Sequence, residues 1–267
     1  MSRNGWYHQR KKEPDHTPLR EKIEAVLTLS PYYGYKRVTK QLKLEGVNWN
    51  HKRVYKIMGE YHLLQVRKSK KVPRTTNSRH NLMVYTNEIK YLGTVLPGWV
   101  WVSDVTYVWA GKGWAYLALV MDQASKKIVG WAMSTSLHRE LCIEAINMGL
   151  ADNVAPKYHH SDRGVQYCSH DYIDILKAND ITPSMADVGI SVDNPYAESL
   201  NRSIKVEEVY LHAYESFEEA KESIGKYIRV YNETRLHSSI GYMSPMQFEA
   251  NYQLTCVSKI HEVVVSN

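Results

Sequence analysis

The chain has 267 residues, 43% of them apolar and 23% charged, enough to bury one large core or two smaller ones. No apolar run approaches the ~18–20 residues that cross a bilayer. The basic stretch MSRNGWYHQRKKEPD has no apolar segment behind it, and three cysteines without a CxxC pair argue against a disulfide framework or a Cys-based zinc site, so a reduced cytoplasmic setting is expected.

The net charge of +6 is unevenly spread: residues 1–80 hold 19 Lys and Arg against 6 Asp and Glu, whereas residues 81–267 hold 15 against 22. A basic module joined to a mildly acidic one points to a polyanion partner. Nucleic acid leads, because no amphipathic membrane anchor accompanies the charge. Within the basic part, LREKIEAVLTL sets Leu19, Ile23, Val26 and Leu27 on a helical stripe that Pro31 ends. Gly34 opens YKRVTKQLKLEG, with Tyr35, Val38 and Leu42 on one face and Gly46 near its C-terminus. Asn50 is placed to cap a third helix, HKRVYKIMGEY, with Val54, Ile57 and Met58 inward. Two short helices across a tight turn, the second carrying His51, Lys52, Arg53 and Lys56, match a helix-turn-helix. The plainer alternative is a three-helix bundle with a solvated basic face; the lopsided charge favours DNA contact by Lys52, Arg53 and Lys56. QVRKSKKVPRTTNSRHN then reads as an extended linker whose Lys68, Lys70, Lys71 and Arg74 suit phosphate contacts.

From Trp99 the texture changes to WVWVSDVTYVWA, GWAYLALVMD and KKIVGWAMS, three strands separated by turns at AGKG and QASKK. Helical HRELCIEAINMGL, short KYHHSD, helical SHDYIDILKAND, short ITPS and helical NPYAESLNRSIKVEE follow. This order predicts an α/β domain with a mixed sheet packed by helices.

Three acids stand out. Asp104 interrupts an apolar and aromatic strand, where an unpaired carboxylate would cost several kcal/mol and so needs a partner or a cation. Asp162 follows the fourth strand beside Gly164, and Glu198 comes after 35 intervening residues. Each alone is most simply a cap, a turn residue or half of an ion pair, as Glu198 with Arg202 one turn later. Together the order Asp104, Asp162, Glu198 resembles the DDE triad of transposases and retroviral integrases. The words WVSDVTYV, HHSDRGVQY, VDNPYAESLNRSIKVE and YNETRLHSSIGYMSP closely resemble the B-subunit (OrfB) transposases of copy-out–paste-in bacterial insertion sequences. YYGYKRVTKQLKLEGVNWNHKRVYKIM is similar to the helix-turn-helix ahead of their integrase core. The resemblance runs from about residue 20 to 250.

It implies an RNase H-like mixed sheet with flanking helices (91–250, with a C-terminal helix). An all-α helix-turn-helix region (1–64) and a basic linker (65–90) precede it, and a tail (251–267) follows. It also implies metal-dependent cleavage and strand transfer of insertion-sequence ends. Carboxylate oxygens suit Mg²⁺ or Mn²⁺. By resemblance two ions per site are expected, with Asp104 shared and Asp162 and Glu198 completing one each. Lys205 matches a basic position near DNA in the family, with a solvated lysine as the alternative; Arg202 is a further candidate that otherwise pairs with Glu198. Gln166 and Tyr167 follow the second aspartate as in relatives, although Tyr167 also suits the core. A structural place suits His159 and His160 at a strand end better than metal. Asn232, Arg235 and His237 match a signature in which folding and DNA contact are hard to separate. The implied partners are the terminal inverted repeats and target DNA, further copies of the chain on DNA, and an A-subunit partner or fused A–B form. A cytoplasmic, nucleoid-associated location is expected, with no membrane.

One departure stands out: Ala186 and Asp187 occupy the place of a Ser-Arg-like pair, and Pro195 that of a small residue, removing a positive charge before Glu198. Two other readings share these features. One is a non-catalytic DNA-binding regulator or inactive copy; the other is an RNase H-type nuclease that cuts without joining. Paired carboxylates alone would also suit a glycosidase, which the basic module does not support.

Overall fold

The computed structural model describes residues 16–65, 81–187 and 194–265, with side chains of the last helix described up to 256. The chain divides into two compact units, residues 1–70 and 71–267. Among the described residues no helix is long and apolar enough to cross a membrane.

The first unit packs α1 (Thr17–Leu29), α2 (Tyr35–Leu44) and α3 (His51–Glu60) against one another. The expected stripes meet: Leu19, Ile23 and Val26 of α1, Val38 and Leu42 of α2, and Val54, Ile57 and Met58 of α3 are all buried. Each such side chain contributes about 1.5–3 kcal/mol when taken from water. Thr39 is buried too, its hydroxyl donating to the Tyr35 carbonyl at 2.7 Å. Asn50 caps α3 by accepting from the Lys52 backbone N–H at 2.9 Å, satisfying one otherwise orphaned donor.

The second unit is built on a five-stranded sheet in the order β3-β2-β1-β4-β5. The strands are β1 (Val100–Ala110), β2 (Gly113–Asp122), β3 (Ile128–Ser134), β4 (Tyr158–Ser161) and β5 (Thr182–Met185). β1, β2 and β3 pair antiparallel, whereas β1–β4 and β4–β5 are parallel. The parallel half needs crossovers, supplied by α4 (Arg139–Asp152) and α5 (His170–Ala178). Helix α6 (Pro195–Ile204) continues into a π-helical turn, Lys205–Val209, followed by α7 (Phe217–Glu233) and α8 (Pro245–Val265).

Side chains alternate across the strands. One sheet face, with Trp101, Val120 and Ala132, packs on Cys142, Ala145 and Ile146 of α4 and on Tyr172 and Leu176 of α5. Helix α7 packs against β1 and β3, where Asn232 both accepts from the Ile128 N–H and donates to its carbonyl, each at 2.9 Å.

Helix α4 lies directly on the sheet at Gly130 of β3. A Cβ there would overlap the Ala145 carbonyl oxygen and lie 2.9 Å from the Gly149 nitrogen, so backbone meets backbone. Gly130→Ala is therefore expected to destabilise the second unit by about 3 kcal/mol or more, because neither partner can rotate away. Urea unfolding followed by tryptophan fluorescence measures it.

Candidate active site

The sheet register brings the first two acids together. Val102 of β1 pairs with His160 of β4; two residues on, Asp104 is still within β1 and Asp162 lies just past the end of β4. Asp104 Oδ1 accepts from the Val105 backbone N–H at 2.8 Å, and Oδ2 accepts from Asn201 Nδ2 of α6 at 2.7 Å. The partner that a strand carboxylate requires is thus an amide, not a lysine.

Asp162 sits at the start of the turn after β4, its Oδ1 accepting from the Gly164 N–H at 2.9 Å. A Cβ at Gly164 would stand 2.9 Å from that same oxygen, so the glycine leaves the carboxylate its room.

Glu198 occupies the first turn of α6, exposed. Pro195 stands in that turn too, where a fixed φ favours helix initiation. Asn194 orients the turn: its buried amide donates to the Ser103 carbonyl at 3.0 Å, and its own carbonyl accepts from the Glu198 N–H at 3.2 Å. The helix that carries Glu198 is thereby tied to the strand residue next to Asp104. No ion pair joins Glu198 to Arg202 among the described residues, so the i,i+4 salt bridge is not formed.

The electrostatics follow from this placement. Burial, the Asp162 charge and, more weakly, the Glu198 charge push the Asp104 carboxyl up from its ordinary value to about 7, against the opposing Val105 and Asn201 hydrogen bonds. A bound cation reverses such a shift. The donors fit a hard divalent ion in kind, being carboxylate oxygens. In spacing, no three Asp, Glu, His or Cys side chains stand as a ready-made metal cluster among the described residues.

A cavity of about 310 Å³ opens beside Asp104, lined also by Tyr107, Glu198, Asn201, Arg202, Lys205 and Tyr210. Asp162 is not in that lining. Lys205 is half-buried with its ammonium 4.0 Å from the Tyr107 ring centroid, and burial lowers its pKa while Asp104 raises it. It opens the π-helical turn, a feature frequent at functional sites. Arg202 is exposed on the same cavity.

The remaining candidates divide. In the first unit Lys52 and Lys56 are exposed, Lys56 near Glu60 at 3.4 Å, while the Arg53 guanidinium stacks 4.2 Å over Trp49. Lys68, Lys70, Lys71 and Arg74 lie outside the described residues. His159 is buried between Ser103 Oγ (2.7 Å) and the Tyr172 hydroxyl (3.0 Å), and burial pushes its pKa down to about 3. His160 bonds Ser184 Oγ at 2.9 Å. Both histidines are therefore structural. Tyr167 is in the core, with its ring against Tyr172. Gln166 Nε2 donates to the Leu137 carbonyl at 3.4 Å.

Arg235 is buried and forks onto Glu207, with both N–O distances at 2.6 Å, while Nη1 reaches the His237 ring at 2.8 Å. Arg235, just after α7, thus ties that segment to the π-helical turn, His237 contacts Arg235, and Asn232 ties α7 to β3. At the departure, Asp187 pairs with Lys90 at 2.8 Å and with Arg163 at 3.7 Å. Sequence reading missed Asn194, Asn201, Tyr107 and Tyr210. Of these only Asn201, one turn beyond Glu198, carried a spacing that could have found it.

The metal-free protein should report the crowding of charge. Because the folded-state pKa of Asp104 lies above its ordinary value of 3.8, folding binds a proton. This group's stability contribution is therefore intact at pH 4 and lost as pH rises through about 7. In chelator, Asp104→Asn is expected to raise the melting temperature by about 4 °C or more at pH 8, and to leave it unchanged at pH 4. Asn201, whose buried Oδ1 has no hydrogen-bond partner, can flip to accept from the new amide. Differential scanning fluorimetry at the two pH values decides it.

Comparison with known proteins returns three family matches: an integrase core domain over residues 95–191, a second integrase core domain description over 179–245, and an HTH-like domain over 15–71. The chain is 33% identical to the Shigella sonnei insertion element IS600 uncharacterized 31 kDa protein, over 94% of this chain and 96% of that one. It is 32% identical to the Escherichia coli (strain K12) transposase InsF for insertion sequence IS3A, over 93% and 90%. Among solved structures, a chain of the simian T-cell lymphotropic virus intasome in complex with PP2A regulatory subunit B56 gamma shares the fold. It does so at a TM-score of 0.52 and 14% identity, over 85% of this chain and 73% of that one.

Proposed function

Because the chain belongs to the insertion-sequence DNA transposases with an integrase core, we propose that it cleaves and joins element ends through Asp104, Asp162 and Glu198. The observation that carries the reading is that burial and the charges of Asp162 and, more weakly, Glu198 all act on Asp104 and raise its carboxyl. Asp104, Asp162 and Glu198 would hold Mg²⁺ or Mn²⁺, two ions per site, which supply nucleophile activation and charge stabilisation for in-line displacement at phosphorus.

The chain's own residues do the rest. Val105 N–H and Asn201 hold the Asp104 carboxylate in one orientation. Lys205 and Arg202, on the wall beside Glu198, meet the phosphate backbone. In this reading residues 1–64 form the DNA-binding region, where Lys52, Arg53 and Lys56 contact the duplex, and Lys68, Lys70 and Lys71 of the basic linker (65–90) add phosphate contacts. Residues 91–250 form the catalytic core. The chain works as a multimer on two DNA ends, with an A-subunit partner or as an A–B fusion, at the nucleoid.

The test is incubation of the purified chain with Mg²⁺ or Mn²⁺ and DNA bearing its element's terminal repeats. Nicked ends that become joined are expected; hydrolysed ends without joining would indicate the nuclease reading. A second reading, a DNA-binding regulator or inactive copy, is favoured by Asp187, an acid where the family resemblance leads one to expect a positive charge. Specific binding without cleavage under any of these conditions would support it.

A further inference from the structure

A second cleft, of about 440 Å³, is lined by Tyr85, Asn87, Lys90, Tyr91, Asp187 and Arg163, the residue after Asp162. Its wall is held in place. The Glu88 N–H donates to Ser184 Oγ at 2.9 Å and the Met185 N–H to the Thr86 carbonyl at 3.3 Å, pinning residues 84–91 along the end of β5. Tyr85 packs onto the core, whereas Tyr91 is 89% exposed. An aromatic ring left in water on an anchored segment is a ready stacking surface.

Beside it two cations converge on one carboxylate. Lys90 Nζ lies 2.8 Å from Asp187 Oδ2 and Arg163 Nη2 lies 3.7 Å from Oδ1, while Arg163 Nε donates to the Ala186 carbonyl at 2.6 Å. The Asp187 carboxylate therefore sits where a phosphate would be held by a lysine and an arginine. Arg163 follows Asp162 directly, so the cleft borders the turn that carries the second acid.

We infer that this cleft takes one unpaired nucleotide of the DNA strand next to the reacting phosphate. The base lies on Tyr91 and the phosphate on Lys90 and Arg163, and Asp187 occupies the phosphate position until DNA arrives. A duplex does not fit this role, since its bases are already stacked on one another. The inference rests on the proposed action on DNA, with the triad marking the reacting phosphate, whereas binding in the cleft is tested apart from the triad.

The probe is a DNA duplex with a three-nucleotide overhang carrying 2-aminopurine, titrated with the full chain in chelator so that no chemistry occurs. Quenching of the fluorophore is expected on binding. Tyr91→Ala should abolish the quench and weaken binding about fivefold or more, the cost of one stacked base. Asp187→Asn should tighten binding about threefold or more and steepen its salt dependence by about one phosphate contact, and Lys90→Gln should flatten it by as much. An unaltered quench in Tyr91→Ala, or unaltered affinity in Asp187→Asn, overturns the inference, as does displacement of the strand by an equal concentration of free mononucleotide. Failure of the triad reading would show separately, as Mg²⁺-dependent nicking that survives Asp104→Asn.

Discussion

Glu198→Gln is expected to lower both cleavage and strand joining by about 10³-fold, with DNA binding and melting temperature nearly unchanged. In the proposed mechanism a divalent ion held by this carboxylate supplies several kcal/mol of charge stabilisation, and each 1.36 kcal/mol is tenfold in rate. The fold does not depend on the charge: Glu198 is exposed, and no ion pair holds it among the described residues. Gln keeps the shape and removes the anionic oxygen. Asp104→Asn and Asp162→Asn should fail alike, because the three acids act as one unit. Full strand transfer by Glu198→Gln would mean that the third ligand is misassigned, and the joined products on a denaturing gel measure this directly.

The second large effect is on stability. Arg235→Ala is expected to cost about 3–5 kcal/mol, because it strands the buried Glu207 carboxylate. Arg235 is 2% exposed and Glu207 7%, and the Tyr227 hydroxyl also donates to Glu207 at 2.7 Å. Burial alone would lower the guanidinium pKa, but the Glu207 hydrogen bonds and charge outweigh it and the net shift is upward. Arg235→Met combined with Glu207→Leu should recover most of the loss, since an apolar pair of similar volume needs no desolvation. Urea unfolding of the single and double variants gives the two numbers. If Arg235→Ala cost under about 1 kcal/mol, the residue would belong to the DNA surface instead. Glu207 lies in the turn that begins at Lys205, so the same variant should loosen the wall of the cavity as well.

The elements were largely legible because their periodicities are local. The stripe Val54, Ile57 and Met58, the Asn50 cap and the continuous apolar run of β2 each announce themselves within ten residues. The three acids are proposed from resemblance and spacing, and parallel pairing of β1 with β4 sets Asp104 beside Asp162. Other points were not legible. Nothing local says that Asn201 rather than a lysine faces Asp104, or that Glu198 and Arg202 do not pair. The signature YNETRLHSSIGYMSP read equally well as DNA contact or as folding. Only its surroundings decide, by burying Arg235 against Glu207, 28 residues away in sequence.

The same holds for Asp187. As a letter it is a lost positive charge ahead of Glu198. In the fold it holds Lys90, 97 residues away, together with Arg163, and so marks a second cleft. By itself the sequence determined the elements and the family and pointed to the three acids, because helix and strand periods and motif spacing are properties of neighbouring residues. Tertiary structure alone decided which charges are satisfied and which are left to face a ligand. Burial and pairing depend on residues that the chain brings together from far apart.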